Sequence, residues 1–320
     1  MTARMSELAR LVVILGPTAS GKSALGIALA ERLGGEILAC DSTQVYRHFD
    51  IGTGKVLVAE QRGIPHHLVD LVEPTEVFTA GEYRRRAIEV LEDVRRRGKL
   101  PIITAGTGLY LRALLEGLAE APERSEELRE RLRKKAAKHG PLHLHRVLAR
   151  MDKEAAARIA PRDTQKIIRA IEVRKLAGKT VGEVHRSGRE ALTGFEVCKI
   201  GLQPAREALY ARINARVEAM IAAGWADEVR GLIARGVPAD AKPFQFIGYS
   251  DLRARLVPGA GSDARAIAEE IPLIQQATRQ FAKRQGTWFR KEPNVRWLAG
   301  FGDDPKIVAE ALDIAPSPTR

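Results

Sequence analysis

"LVVILGPTASGKSALGIALAERL", residues Leu11 to Leu33, joins an apolar run to a glycine-rich turn and a second apolar run. LVVIL is a short β-branched run and predicts a strand, and the apolar positions that follow the glycines predict a helix running through Leu33. Between the two lies G-x-x-x-x-G-K-S, made of Gly16, Pro17, Thr18, Ala19, Ser20, Gly21, Lys22 and Ser23. Glycines let backbone N–H groups turn inward as an anion nest, and the helix N-terminus adds its dipole. Lys22 is then placed to reach a terminal phosphate, and the Ser23 hydroxyl to ligand Mg2+.

GEILAC (Gly35 to Cys40) and LPIITAG (Leu100 to Gly106) read as further strands, separated by a helix from about Thr79. Strand and helix alternation of this kind predicts an α/β fold, a P-loop doubly wound parallel sheet covered on both faces. Ligands of such sheets sit at the carboxyl ends of the strands. GPTASGKS, DSTQ (Asp41 to Gln44) and AGTGLY (Ala105 to Tyr110) should therefore converge. From about Leu118 the texture turns charged and helical, with no strand signal until FEVCKIGL (Phe195 to Leu202). The expected organisation is a core over 1–117, an all-helical insertion domain over 118–194, and the rest of the core with basic C-terminal helices over 195–320. Breaks are expected at KPFQFIGYS (Lys242 to Ser250) and VPGAGSD (Val257 to Asp263), and the tail from about Asp304 should fray.

Lys and Arg total 52 against 40 Asp and Glu, a formal charge of +12. An enzyme for a small metabolite has no need of that excess, whereas a protein docking on a polyanion gains affinity by releasing counterions. A basic composition shared by a whole proteome gives the same number, so charge alone leaves nucleic acid an open partner. No apolar run is long enough to span a membrane, and MTARMSELAR lacks the apolar stretch of a signal peptide, which makes the cytoplasm the default compartment. Cys40 and Cys198 are far apart without CxxC spacing and read as buried thiols. The arginine triplets at 84–86 and 95–97 read as solvated surface. His66 and His67 would point to opposite faces of a strand, which argues against a metal pair.

A phosphate loop does not by itself make a nucleotide-dependent enzyme. The strand ending at Gly106 carries no Walker B acid; the aspartate at a strand end is Asp41, directly after EILAC. An Asp followed by Ser commonly caps a helix or forms a turn. Its functional alternatives are Mg2+ ligand and general base.

Five stretches in order, GPTASGKS, DSTQVYRHFDIGTGK (with Tyr46, Asp50, Ile51, Gly52 and Thr53), PHHLVD, AGTGLY and FAKRQGTWFR, together resemble the tRNA dimethylallyltransferase family across about residues 11 to 298. The resemblance implies transfer of a dimethylallyl group from dimethylallyl pyrophosphate to N6 of the adenine 3′ to the anticodon of a subset of tRNAs. It implies that the loop binds the donor's pyrophosphate, with Thr18 and Arg216 gripping it beside Lys22, and that Asp41 is the base. It places Thr107 at the mouth of the channel. It places tRNA contacts at Asp41, Ser42, Thr43 and Gln44; at Arg129; at Gln165, Lys166, Ile167, Ile168 and Arg169; at Gln245, Phe246, Ile247, Gly248, Tyr249 and Ser250; and at Lys283, Arg284, Gln285, Gly286, Thr287, Trp288, Phe289 and Arg290. The expected partners are the tRNA anticodon stem-loop and the prenyl donor, the expected cofactor is Mg2+, and the expected state is a monomer. Phe246 departs from the small residue the family often has there. Without the cysteine and histidine zinc finger that eukaryotic relatives add, the sequence resembles the compact bacterial type.

Elementary chemistry agrees with this reading. An allylic carbon departs readily once its pyrophosphate is neutralised. The adenine amine is a poor nucleophile, so a carboxylate positioned to take its proton contributes ~10² to 10⁴-fold. A P-loop small-molecule kinase, an adenylate isopentenyltransferase and a non-catalytic RNA-binding module share parts of the pattern. None of them accounts for the loop, the missing Walker B acid and the basic helical insertion together.

Overall fold

The computed structural model describes residues 8–119, 121–186, 188–256 and 264–316. Two compact units emerge. One runs up to Leu114 and resumes at Thr193; the other spans Leu115–Leu192.

In the first unit β1 (Ala9–Leu15), β2 (Gly35–Cys40), β3 (His66–His67), β4 (Leu100–Ala105), β5 (Phe195–Leu202) and β6 (Val295–Leu298) form one sheet in the order β3-β2-β4-β1-β5-β6. Every pairing is parallel. Leu11 to Leu15 are wholly buried, as expected of a central parallel strand covered on both faces. Strand β1 is flanked by β4 and β5, so its carboxyl end lies in the middle of the row. Helix α1 (Lys22–Leu33) follows it directly, α2 (Ala80–Arg96) precedes β4, and α3 (Gly108–Glu116) leaves β4. Thr79 starts α2 by accepting a hydrogen bond from the Glu82 N–H at 3.1 Å.

The second unit is built from α4 (Glu126–His139), α5 (Pro141–Met151), α6 (Lys153–Arg158), α7 (Thr164–Ala177) and α8 (Val181–Arg186). Its core gathers Leu132, Leu144, Leu148, Ile167, Ile168 and Ile171. After β5 the first unit continues with α9 (Arg206–Ala222), α10 (Trp225–Ala234), α11 (Tyr249–Leu256) and the long α12 (Ala264–Phe289).

Several expectations need correction. VRWL forms β6, hidden in the sequence because four residues inside a basic stretch give too short an alternation to register. The tail does not fray from Asp304. Asp304 caps α13 (Pro305–Ile314), Pro305 opens it, and Ile307 and Ala311 are buried against the sheet's core. The expected break at KPFQFIGYS is half helical: Lys242–Gln245 is a 3-10 turn and Tyr249 already begins α11. VPGAGSD and residues 317–320 lie outside the described residues. Arg97 is not simply solvated, because both its terminal nitrogens hold the buried Glu36, which also meets His67 at 2.7 Å. Arg86 lies over the Phe78 ring. Cys40 is fully buried, but Cys198 only partly.

Candidate active site

The phosphate loop is built by close approach. A Cβ on Gly16 would come 2.7 Å from Ser20 Oγ, and one on Gly21 would come 2.6 Å from the backbone nitrogen of Gly302, so both positions require glycine. Gly21 sits at φ 90° and Ala19 at φ 63°, the left-handed geometry that curls the loop. Gly302, after β6, donates its N–H to the Ser20 carbonyl at 2.9 Å and so braces the loop from behind. Gly21 supplies no side-chain cap to α1, and no acid stands in the first turn, which leaves the helix N–H groups turned toward an anion.

Two cations face this nest. Lys22 Nζ donates to the Pro17 carbonyl at 2.8 Å. Burial pushes its ammonium down to about 8, with the Arg216 charge pressing the same way and Asp41 opposing. The Arg216 guanidinium packs against Gly54, where any Cβ would collide with it, and is itself held below its usual value by burial and by Arg212. Lys22, lowered by burial and by the Arg216 charge, and Arg216, lowered by burial and by Arg212, mark a site at positive potential, which an anion relieves.

Asp41 stands at the end of β2. Its Oδ1 accepts from Thr43 N at 2.9 Å and Thr43 Oγ1 at 2.7 Å, which fixes the carboxylate plane. Its Oδ2 abuts Gly106, where a Cβ would strike it, and accepts no hydrogen bond among the described residues. The loops carrying Asp41 and Thr107 are fastened together: Gly106 N and Thr107 N donate to the Cys40 carbonyl at 3.0 and 2.9 Å, and Thr107 Oγ1 accepts from Ser42 N at 2.9 Å.

The stretch FDIGTGK is scaffold for this site. Lys55 Nζ reaches Asp50 at 2.7 Å and Asp70 at 2.5 Å, which explains the pairing of that stretch with PHHLVD. Glu228 Oε2 accepts from Asp50 N and Ile51 N; Tyr249 accepts from Gly52 N at 3.0 Å and donates to Glu228 at 2.6 Å. Gly52 and Gly248 both press on the buried Trp225, where no side chain fits. Gln44 Nε2 donates to the Thr53 and Gly54 carbonyls. The product of these bonds is a rigid turn that seats Arg216.

In the helical unit, Glu172 is fully buried yet ionised. Burial alone pushes it up, but the Arg129 and Arg169 guanidinium groups and the Ser125 N–H hold it down at about 2. Arg129 grips it with two bonds of 2.9 and 2.8 Å, and Arg169 adds one of 2.6 Å. Arg124 is held below its usual value by burial and by the same two arginines. Two arginines thus share one buried carboxylate, and Arg124 lies close enough to feel the charge of both.

The chain matches the family described as IPP transferase over residues 44–292. A tRNA dimethylallyltransferase of Koribacter versatilis is 54% identical over 308 residues, covering 95% of this chain and 97% of that one. The chain belongs to the IPP transferase family. The family's tRNA dimethylallyltransferase of Solibacter usitatus is 47% identical over 303 residues, covering 95% of this chain and 97% of its own. Among solved structures, the full-length tRNA isopentenylpyrophosphate transferase of Bacillus halodurans superposes with a TM-score of 0.67 at 35% identity, covering 95% of both chains. A eukaryotic dimethylallyltransferase acting on tRNA shares the fold, with a TM-score of 0.78 at 24% identity, covering 98% of this chain and 81% of that one.

Within this IPP transferase chain, the loop residues, Asp41, Thr107 and Arg216 all belong to the first unit and meet at the carboxyl ends of β1, β2 and β4. Of the positions expected to touch RNA, Asp41, Ser42, Thr43 and Gln44 are half-buried, and Gln165, Lys166, Gln245, Ser250, Lys283, Arg284, Thr287, Trp288 and Arg290 are exposed. Gln245 and Ser250 line a concave pocket of about 420 Å³ with Phe244 and Arg253. Others cannot present a side chain. Ile167 and Ile168 are core of the helical unit, Phe289 is fully buried, and Tyr249 is a buried post for the Gly52 turn. Gln285 is buried as well, on backbone partners. Arg129 is largely spent on Glu172, and Phe246 packs on Tyr46 at 5.8 Å. Sequence reasoning missed Glu228, Trp225 and Arg212. Arg212 pairs with Asp303 at 2.7 Å beside Gly21, and its available signal was the four-residue spacing to Arg216 on α9.

Proposed function

We propose that this chain transfers a dimethylallyl group from dimethylallyl pyrophosphate to N6 of the adenine 3′ to the anticodon in tRNA, acting as a monomer in the cytoplasm. The observation that carries the reading is one juxtaposition: an uncapped phosphate loop flanked by Lys22 and Arg216, beside a carboxylate with one oxygen open, with no second acid on β4 to serve a nucleotide's metal.

The bond between the allylic C1 and the pyrophosphate oxygen breaks, and the pyrophosphate leaves with the electron pair. Loop N–H groups, Lys22 and Arg216 stabilise that charge as it develops. The N6 lone pair forms the new bond to C1, and the N6 proton passes to Asp41 Oδ2. Thr43 holds the other oxygen and keeps Oδ2 aimed. Ser23 is exposed in the first turn of α1, and its hydroxyl bonds to none of the described residues. One hydroxyl beside a pyrophosphate suits Mg2+, which takes most of its ligands from water and substrate phosphates; bound there it would neutralise leaving-group charge. The adenine must leave its stack to reach Asp41, at a cost of about a few kcal/mol. Trp288, 38% exposed and lying against Gly108 with Arg112 stacked on it at 4.9 Å, offers an aromatic surface to offset that.

Ligand-induced thermal shift separates this from a kinase. Dimethylallyl pyrophosphate should raise the melting temperature and ATP should do so far less; strong stabilisation by ATP with none by the prenyl donor overturns the reading. Free AMP as the better acceptor would point instead to an adenylate isopentenyltransferase.

A further inference from the structure

We infer that Gln285 is a positioning residue that locks the phosphate loop to the loop behind Asp41, so that leaving group and proton acceptor hold one register. Its side chain enters from α12, is 6% exposed, and bonds to backbone at both ends of its amide. Oε1 accepts from Thr18 N at 2.7 Å, and Nε2 donates to the Gly106 carbonyl at 2.7 Å. Thr18 follows β1 and Gly106 follows β4, neighbouring strands whose loops carry opposite halves of the chemistry. Gly106 is also the residue against which Asp41 Oδ2 rests, and its N–H is tied to Cys40, the residue before Asp41. A continuous path therefore runs from the pyrophosphate loop through one amide to the back of the base.

Only a group with one acceptor and one donor on the same short fork serves both ends. A neutral carboxylic acid has that pattern; an ionised carboxylate does not, and would turn an unscreened negative oxygen on the Gly106 carbonyl and on the pyrophosphate. The surrounding helix turn explains why this residue reads as an RNA contact in the sequence: Lys283, Arg284, Thr287, Trp288 and Arg290 on either side of it are exposed, and within this stretch Gln285 and Phe289 turn inward.

The inference rests on the proposed transfer for its kinetic arm and on the anion nest alone for its binding arm. Gln285→Glu is compared with wild type at about pH 8 and about pH 6, a range that a buried carboxyl's raised pKa spans. At the higher pH the variant should lose ~10²-fold in kcat, the scale of a misplaced reacting group, with KM for tRNA and the salt dependence of tRNA binding unchanged. Its affinity for inorganic pyrophosphate should fall in parallel. At the lower pH both should recover toward wild type measured at the same pH. Gln285→Met should lose both at either pH, while a melting curve shows it folded. A raised KM for tRNA with kcat and pyrophosphate affinity intact would make Gln285 an RNA contact and overturn the inference. So would equal losses at both pH values in a folded Gln285→Glu. If wild type transfers nothing to tRNA, the proposed function fails, and the pyrophosphate arm still decides whether the clamp exists.

Discussion

Asp41 is one carboxylate with two unlike oxygens, and the difference predicts what its loss does. Thr43 consumes Oδ1, so Asp41→Asn can keep that contact through its carbonyl oxygen while losing the proton acceptor at the other position. Turnover should fall by ~10² to 10⁴-fold with tRNA affinity nearly unchanged, measured by single-turnover transfer and by filter binding. Lys22 carries a pH signature. Its ammonium sits at about 8 in the free site, and a bound pyrophosphate favours the charged form. Donor affinity should therefore be flat below that pH and weaken as pH rises through it; Lys22→Ala should bind weakly and lose the dependence. A titration by calorimetry across that range checks the sign.

At the scale of elements, the sheet was legible because burial on both faces writes itself as LVVIL, EILAC and IIT, runs that admit no helix or loop reading next to their glycines. Helix α13 is passed over although a capping Asp304, a Pro305 and apolar Ile307, Val308, Ala311 and Leu312 at helical spacing mark it, because the stretch ends in SPTR and its last residues read as a loose tail. Ile307 packs on the same core cluster as β1 and α1, so Ile307→Ala should cost ~2 to 4 kcal/mol in chemical denaturation. A frayed tail would show no change. In the helical unit, QKIIR reads as an RNA contact by resemblance, yet its two isoleucines are core and Arg169 is tethered to Glu172. What sequence cannot reveal is which side of a helix is spent inward. Glu172→Ala leaves Arg129 and Arg169 without their buried counter-charge, and should cost the unit ~3 to 5 kcal/mol, seen as earlier hydrogen exchange of α4 and α7 in the full chain. Arg169→Ala keeps the Arg129 pair and should mainly weaken tRNA binding and flatten its salt dependence.

For the whole molecule, the formal charge of +12 fits a polyanionic substrate, and several of its arginines are partnered internally by Glu36, Glu172 and Asp303 rather than offered outward. The carboxyl ends of β1, β2 and β4 were predictable as the site from strand order alone, because ligands of parallel sheets bind there. The supports were not: Gly302 behind the loop, Glu228 and Tyr249 under the Gly52 turn, and Gln285 between the loops are joined to the site across hundreds of residues of chain by bonds that leave no local pattern. Lys55 and Asp70, which lie inside two of the stretches that carry the family resemblance, pair with each other as struts. Incubation of the full chain with Mg2+, dimethylallyl pyrophosphate and unmodified tRNA, followed by digestion to nucleosides and mass analysis, tests the transfer itself. Wild type should yield an adenosine heavier by one isoprenoid unit, placed 3′ of the anticodon, at a time when Asp41→Asn has made at most about a hundredth as much; unmodified adenosine with wild type, or equal modification by the variant, would contradict the proposed transfer.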